Sequence, residues 1–246
     1  DKIKKNIDKV LSHGKYIMGP EVNELEKTLE LYSGAKNVVS CASGTDALVL
    51  ALMSKNIGAG DIVLCPTFTF PATAEAISIL GATPYFVDVE MDTFNLSIDS
   101  LKTSINNIMA ENIFKIRAII VVDLYGLPAN YKEITKIAKQ HGLFLISDAA
   151  QSFGARYNNK KVGTLADITC TSFFPAKPLG CYGDGGAVFT NNDQYAEKIR
   201  MLRVHGQNKR YHYKYIGMGG RLDTIQAAIL LAKLPHYKKE LVEREN

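Results

Sequence analysis

No stretch of this chain stays apolar for the roughly 18–20 residues that a membrane span requires, and no signal peptide opens it. Basic blocks are missing too. The net charge is +4 over 246 residues, and lysines such as Lys132, Lys136 and Lys139 are spread along a helical face. Neither a membrane nor a nucleic acid is therefore an expected partner. Cysteine is scarce: Cys41, Cys65, Cys170 and Cys181 lie in or beside apolar runs without metal-type spacing. Buried, reduced thiols in a cytoplasmic protein are expected from them. The five histidines are scattered, so no metal site is expected either. No Walker sequence occurs. The first strand is followed by Cys41-Ala42-Ser43-Gly44-Thr45, not by Gly-x-Gly-x-x-Gly, which argues against a nicotinamide-dependent enzyme.

What remains is an ordinary globular composition, 46% hydrophobic and 22% charged. Apolar runs at 37–42, 61–65, 83–89, 117–124, 143–147, 167–173 and 186–190 predict seven strands. Helical patterns at 45–55, 72–80, 98–108 and 131–141 lie between them. That alternation predicts an α/β protein with a mostly parallel sheet covered on both faces. The last two strands follow one another without a helix, so one of them is expected to be antiparallel. Helices at 2–11 and 21–32 come first and are expected outside the sheet. A helix at 222–233 leads out of the domain, and residues 238–246 form a charged helix. The chain begins at Asp1 and stops within that helix, which suggests part of a longer protein. The expected division is a large domain over 1–233 and the start of a second over 234–246.

Two sites carry the chemistry. The run at 143–146 delivers Ser147-Asp148-Ala149-Ala150-Gln151, a carboxylate where a strand should end. The next run delivers Ser172-Phe173-Phe174-Pro175-Ala176-Lys177, a lysine in a Ser-containing apolar turn. Pyridoxal phosphate needs such a pair: a lysine to form a Schiff base and a carboxylate to hold the pyridinium nitrogen protonated. Burial against Phe173 and Phe174 is expected to ease proton loss from Lys177. Ser43-Gly44-Thr45 opens a helix, where free N–H groups suit a phosphate. The same residues also read as a capping box, Ser43 with Asp46 three positions on, and the two roles are compatible. Gln151 suits the cofactor's phenolic oxygen. Phe68 and Phe70 serve equally as core or as a ring-stacking aromatic. The glycine-rich run Gly180-Cys181-Tyr182-Gly183-Asp184-Gly185-Gly186 enters a strand, and reads as a tight loop beside the lysine.

These motifs, together with Pro66-Thr67-Phe68-Thr69-Phe70 and Arg221-Leu222-Asp223-Thr224-Ile225-Gln226-Ala227-Ala228, occur in an order that resembles the nucleotide-sugar aminotransferases of the DegT/DnrJ/StrS type. The resemblance spans essentially the whole chain. It implies the fold-type I, aspartate-aminotransferase-like architecture, with a small C-terminal domain beginning near Leu234. It also implies roles by position: Lys177 as the Schiff-base lysine, Asp148 as the pyridinium partner, and Gln151 near the phenolic oxygen. Phe70 stacks on the ring, and Gly44, Thr45 and Ser172 hold the phosphate. Relatives that dehydrate sugars carry histidine at the lysine position, so Lys177 favours transamination. Many members have asparagine where this chain has Gly219, which puts a cross-subunit phosphate contact in question. A homodimer with shared active sites is nonetheless implied.

The implied reaction moves an amino group from L-glutamate to a nucleotide-linked keto sugar. The stretch around Lys177 looks most like enzymes that aminate C3 of a UDP-linked 2-acetamido-3-keto-glucuronic acid for O-antigen and other surface polysaccharides. A dTDP-linked 3- or 4-keto-6-deoxyhexose, or a non-catalytic regulator of the same fold, is the alternative. A sugar carboxylate and a diphosphate call for cations, and Arg221, Arg210 and His205 are the candidates. Tyr16 is a candidate for the same pocket.

Overall fold

The computed structural model describes residues 1–111 and 115–245; Asn246, the last residue of the expected charged helix, lies outside them. In chain order the elements are α1 (Lys2–His13), α2 (Pro20–Ser33), β1 (Asn37–Cys41), α3 (Gly44–Ser54), β2 (Asp61–Pro66), α4 (Ala72–Ile79) and β3 (Thr83–Val87). Then come α5 (Ile98–Glu111), β4 (Lys115–Val122), α6 (Tyr131–His141), β5 (Phe144–Asp148), β6 (Arg156–Tyr157), β7 (Lys160–Lys161) and β8 (Ile168–Ser172). β9 (Gly186–Thr190), α7 (Asp193–Leu202), β10 (Gln207–Lys209), β11 (His212–Tyr213) and α8 (Thr224–Glu245) complete the described chain.

Seven strands form one sheet in the order β1-β9-β8-β5-β4-β2-β3. β9 runs antiparallel to both neighbours, and every other pair is parallel. The strand joined without a helix is thus the reversed one, as its short connection requires. Alternate residues of each strand face opposite ways. Val39, Val63, Ile120 and Ile146 pack under α3, α4 and α7, whereas Leu64, Ile119, Val121 and Leu145 pack under α5 and α6. Val38, Ala187 and Phe189 face a third cluster made with α2 and α8. Each buried aliphatic side chain stabilises such a sandwich by about 1.5–3 kcal/mol. Continuous apolar strands are what two covered faces demand.

This topology decides where the site lies. Cys41 and Ser172, at the ends of β1 and β8, both pair with Gly186 of the intervening β9. Their following loops are therefore forced together at the carboxyl edge of the sheet. A Cβ on Gly186 would lie 2.3 Å from the Ser43 carbonyl oxygen, so only glycine lets the loops close.

Three differences from expectation have physical causes. α7 was not anticipated, although Asn192 caps it by accepting from the Gln194 and Tyr195 N–H groups and Ala196, Ile199 and Leu202 form its buried face. The β6–β7 and β10–β11 hairpins have strands of two or three residues, too short for a periodic signal. The helix expected to stop at residue 233 continues unbroken to Glu245 with Pro235 inside it, its neighbours Leu234 and Tyr237 buried in the α2–α8 cluster. Packing here outweighs the hydrogen bond that proline removes. All four cysteines are free and buried, and burial pushes the Cys65 thiol up to about 12. Among the described residues no helix is long and apolar enough to cross a membrane, and no group of metal-ligating side chains forms.

Candidate active site

A cavity of about 510 Å³ opens at the carboxyl edge. Gly44, Thr45, Phe70, Asp148, Gln151, Ser172 and Lys177 all line it, so the sequence-predicted cofactor residues converge on one space. Asp148 ends β5 and is buried. Its Oδ1 accepts the Ala150 N–H at 3.2 Å, and its Oδ2 accepts the Thr73 hydroxyl at 3.1 Å. Burial holds this carboxyl above its ordinary range, against the pull of the Ala150 N–H, the Thr73 hydroxyl and the Lys177 charge. Asp148 and Lys177 thus face the same cavity and feel each other's field.

Lys177 sits in a turn closed by its own N–H donating to the Phe174 carbonyl at 2.9 Å. The expected burial against both phenylalanines needs correction. Phe173 is fully buried in the core beneath the loop, Phe174 is 49% exposed, and Lys177 is half-buried. Successive side chains of an extended segment point to opposite sides, so only one of the two phenylalanines can face inward. Phe70 is 65% exposed at the cavity wall, and Phe68 contacts Phe94 with ring centroids 5.5 Å apart; neither belongs to the core. The Gln151 side-chain oxygen accepts the Tyr125 N–H at 2.7 Å, which leaves its amide N–H groups as the donors available to the cavity.

Ser43, Gly44, Thr45 and Ser172 also line the cavity and form a candidate phosphate cradle. Ser43 caps α3 by accepting the Asp46 N–H at 3.0 Å, so the cap read from sequence is made, and Gly44 and Thr45 form the first turn. Ser172 Oγ accepts the Phe174 N–H at 3.2 Å and keeps its proton to donate. A Cβ on Gly44 would stand 2.7 Å from Ser172 Cβ. Gly44→Ala is therefore expected to spread the cradle and weaken pyridoxal phosphate affinity about tenfold or more, in line with the roughly 1–3 kcal/mol of overpacking. A cofactor titration checks it; unchanged affinity would show that the phosphate binds elsewhere. The cradle loop is braced from behind: Ala42 N–H donates to the Gly220 carbonyl at 3.0 Å, and Gly220 N–H to the Arg203 carbonyl at 3.0 Å.

The residues assigned to the sugar lie elsewhere: none of Tyr16, His205, Arg210 and Arg221 lines this cavity. Arg221 Nη1 lies 3.2 Å from His205 Nε2, and a Cβ on Gly219 would be 3.2 Å from the same imidazole. Arg210 lies between β10 and β11 over the Tyr211 ring, and the Tyr16 carbonyl accepts the Thr224 N–H. Several site residues escaped the sequence reading. Thr73 of α4, which holds Asp148, carries no local signal. Asp184 lines the cavity from the glycine-rich loop. Asp123 is fully buried below, where Oδ1 accepts the Tyr131 hydroxyl at 2.8 Å and Oδ2 the Ser152 hydroxyl at 2.7 Å.

Burial, with a smaller push from Asp148, raises the Asp123 carboxyl to about 6 despite those donors. Its unfolded value is about 3.9, so the folded chain binds this proton more tightly. The resulting stability is fully present below about pH 4 and is lost as pH rises through about 6. Asp123→Asn should flatten that part of the profile for the cofactor-free chain, as read by thermal unfolding between about pH 4 and 7. Identical slopes for the two proteins would refute this assignment.

The residues present fit pyridoxal phosphate: hydroxyl and helix N–H donors for the phosphate, a buried anion for the ring nitrogen, and an amine for the aldehyde. Fold and site together define the fold-type I class of pyridoxal-phosphate domains. The match to the DegT/DnrJ/EryC1/StrS aminotransferase family covers residues 1–246, and the chain belongs to that family. It is 49% identical over 245 residues to the UDP-2-acetamido-2-deoxy-3-oxo-D-glucuronate aminotransferase of Pseudomonas aeruginosa, covering 100% of this chain and 66% of that protein. It is 45% identical to a UDP-N-acetyl-3-dehydro-α-D-glucosamine 3-aminotransferase of Acidithiobacillus ferrooxidans, with 96% of this chain and 62% of that protein covered. A crystal structure of a family aminotransferase from Brucella abortus superposes with TM-score 0.95 at 47% identity, covering 97% of this chain and 64% of that one. The chain thus spans just under two thirds of the length of these relatives.

Proposed function

We propose that this chain is the large domain of a pyridoxal-phosphate-dependent aminotransferase that moves an amino group from L-glutamate to a nucleotide-linked keto sugar. The favoured acceptor is C3 of a UDP-linked 2-acetamido-3-keto-glucuronate, on a route to surface polysaccharide such as O-antigen. The observation that carries the reading is the convergence of Asp148, Lys177 and the Gly44–Thr45–Ser172 cradle on one cavity. The 49% identity to a protein named for that sugar supports the choice of acceptor. On this reading residues 1–233 bind the cofactor, α8 carries the chain into a second domain, and the protein acts in the cytoplasm.

Bound in the cavity, pyridoxal phosphate supplies an aldehyde and an electron-accepting ring. Lys177 Nζ would be its point of attachment. Once free, Nζ would take the proton from the donor's Cα, and later return one to the sugar carbon that receives nitrogen. A positioned proton carrier of this kind contributes about 10²–10⁴-fold. Asp148 would keep a negative charge beside the ring nitrogen, and the Gln151 amide would donate to the phenolic oxygen. Tyr16, His205, Arg210 and Arg221 stand outside the cavity of their own chain. In a homodimer with shared sites they are assigned to the sugar carboxylate and diphosphate of the neighbouring copy, where Gly219 offers backbone in place of an asparagine amide.

The test loads the purified protein with pyridoxamine phosphate and adds UDP- and dTDP-linked keto sugars in turn. Recovery of the visible absorbance of lysine-bound cofactor with the UDP-3-keto-glucuronate is the expected result. Recovery only with a dTDP sugar would move the assignment to deoxyhexoses, and recovery with none would end it.

A further inference from the structure

The segment between β8 and β9 is a loop tied at its neck. Phe173 N–H donates to the Gly185 carbonyl and Cys181 N–H to the Phe173 carbonyl, each at 2.7 Å. Lys177 lies at the far turn, and that turn rests on Gly180: a Cβ there would be 2.5 Å from the Pro175 carbonyl oxygen. Gly180 thus packs directly against the Phe174–Pro175 side of the turn that carries Lys177. The loop is rich in glycine, whose backbone is the costliest to hold in one conformation. Leu179 and Cys181, on either side of Gly180, are buried in the cluster made with α2 and α8, so the loop is anchored against α8 as well as at its neck.

Two polar side chains of α8 add to that anchoring. Lys233 Nζ donates to the Gly180 carbonyl at 2.5 Å and stands 5.3 Å from the Tyr182 ring centroid. Gln226 Oε1 accepts the Tyr182 N–H at 2.9 Å, and its Nε2 would lie 2.9 Å from a Cβ on Gly183. Residues 226 and 233 are two helical turns apart and so share one face of α8. Neither lines the cavity. Among the described residues Lys233 forms no carboxylate pair, so its ammonium is directed to the loop's carbonyl and ring. The same helix also holds the chain after Gln151, where the Tyr237 hydroxyl donates to the Phe153 carbonyl two residues on.

We propose that Lys233 and Gln226 are positioning residues that fix the 174–184 loop and, through it, the reach of Lys177 to the cofactor's aldehyde. This rests on the functional reading above. An error of order 1 Å in such placement can cost up to about 10²-fold in rate.

The test compares Lys233→Met, Lys233→Arg and Gln226→Met with the wild-type chain by two readouts. One is amide hydrogen exchange over residues 174–184 without cofactor; the other is the rate at which Lys177 captures pyridoxal phosphate. Both methionine variants are expected to exchange faster in that loop and to capture about tenfold more slowly. Their unfolding midpoints and phosphate affinities should stay near wild type, and Lys233→Arg should restore both readouts. Methionine variants that exchange and capture like an active wild type overturn this proposal alone. So does an arginine variant as impaired as Lys233→Met. A wild type that captures nothing overturns the functional reading and this proposal with it.

Discussion

Lys177→Ala is expected to lose covalent capture of pyridoxal phosphate entirely and to lower amine transfer by at least about 10²–10⁴-fold, the share that a positioned proton carrier supplies. The fold should not change. The Lys177 side chain is half-buried and makes no hydrogen bond among the described residues; its turn is held by the backbone bond to Phe174, which alanine keeps. Borohydride trapping followed by peptide mapping, run beside a donor half-reaction and a thermal melt, separates the effects. An alanine variant that still traps cofactor, or that transfers amine at the wild-type rate, would remove Lys177 from the chemistry. A variant that melts early would instead assign Lys177 a structural role.

Most of this arrangement was legible in the sequence because its signals are local. Buried parallel strands need apolar residues on both faces, so Ala118-Ile119-Ile120-Val121-Val122 and its counterparts stand out as runs. Asp148, Ser172 and Lys177 stand out because each ends or follows such a run. What could not be read depends on which loops the sheet order brings together. That Gly44 touches Ser172 follows from the antiparallel insertion of β9 between β1 and β8. Thr73 looks like any other helix residue until α4 is laid beside the end of β5. Lys233 reads as surface charge until the turn it reaches is known. The burial expected for Lys177 failed for a related reason, since adjacent Phe173 and Phe174 cannot both face the core. α7 differs from these: its cap and apolar spacing were present and went unread.

Asp148→Asn separates charge from shape. The two side chains are nearly equal in size, and the surroundings can accommodate an amide. Its oxygen can keep the Ala150 N–H, while the Thr73 hydroxyl, which also lies 2.9 Å from Thr69 Oγ1, can turn to accept the new N–H group. The cradle and Lys177 are untouched, so cofactor capture should persist. What disappears is the buried negative charge facing the ring nitrogen. Preorganised charges of this kind are typically worth about 10²–10³-fold in rate, and that is the expected fall in amine transfer. The natural carboxyl is held above its ordinary range by burial, against the pull of the Lys177 charge, and a further positive partner in the cavity would favour its anionic form. A bound ring nitrogen that shares its proton with Asp148 would be that partner, a pairing asparagine cannot make. If Asp148→Asn captures cofactor and transfers amine as fast as wild type, the buried carboxylate serves only to tie β5 to α4, and the pairing of Asp148 with the ring is wrong.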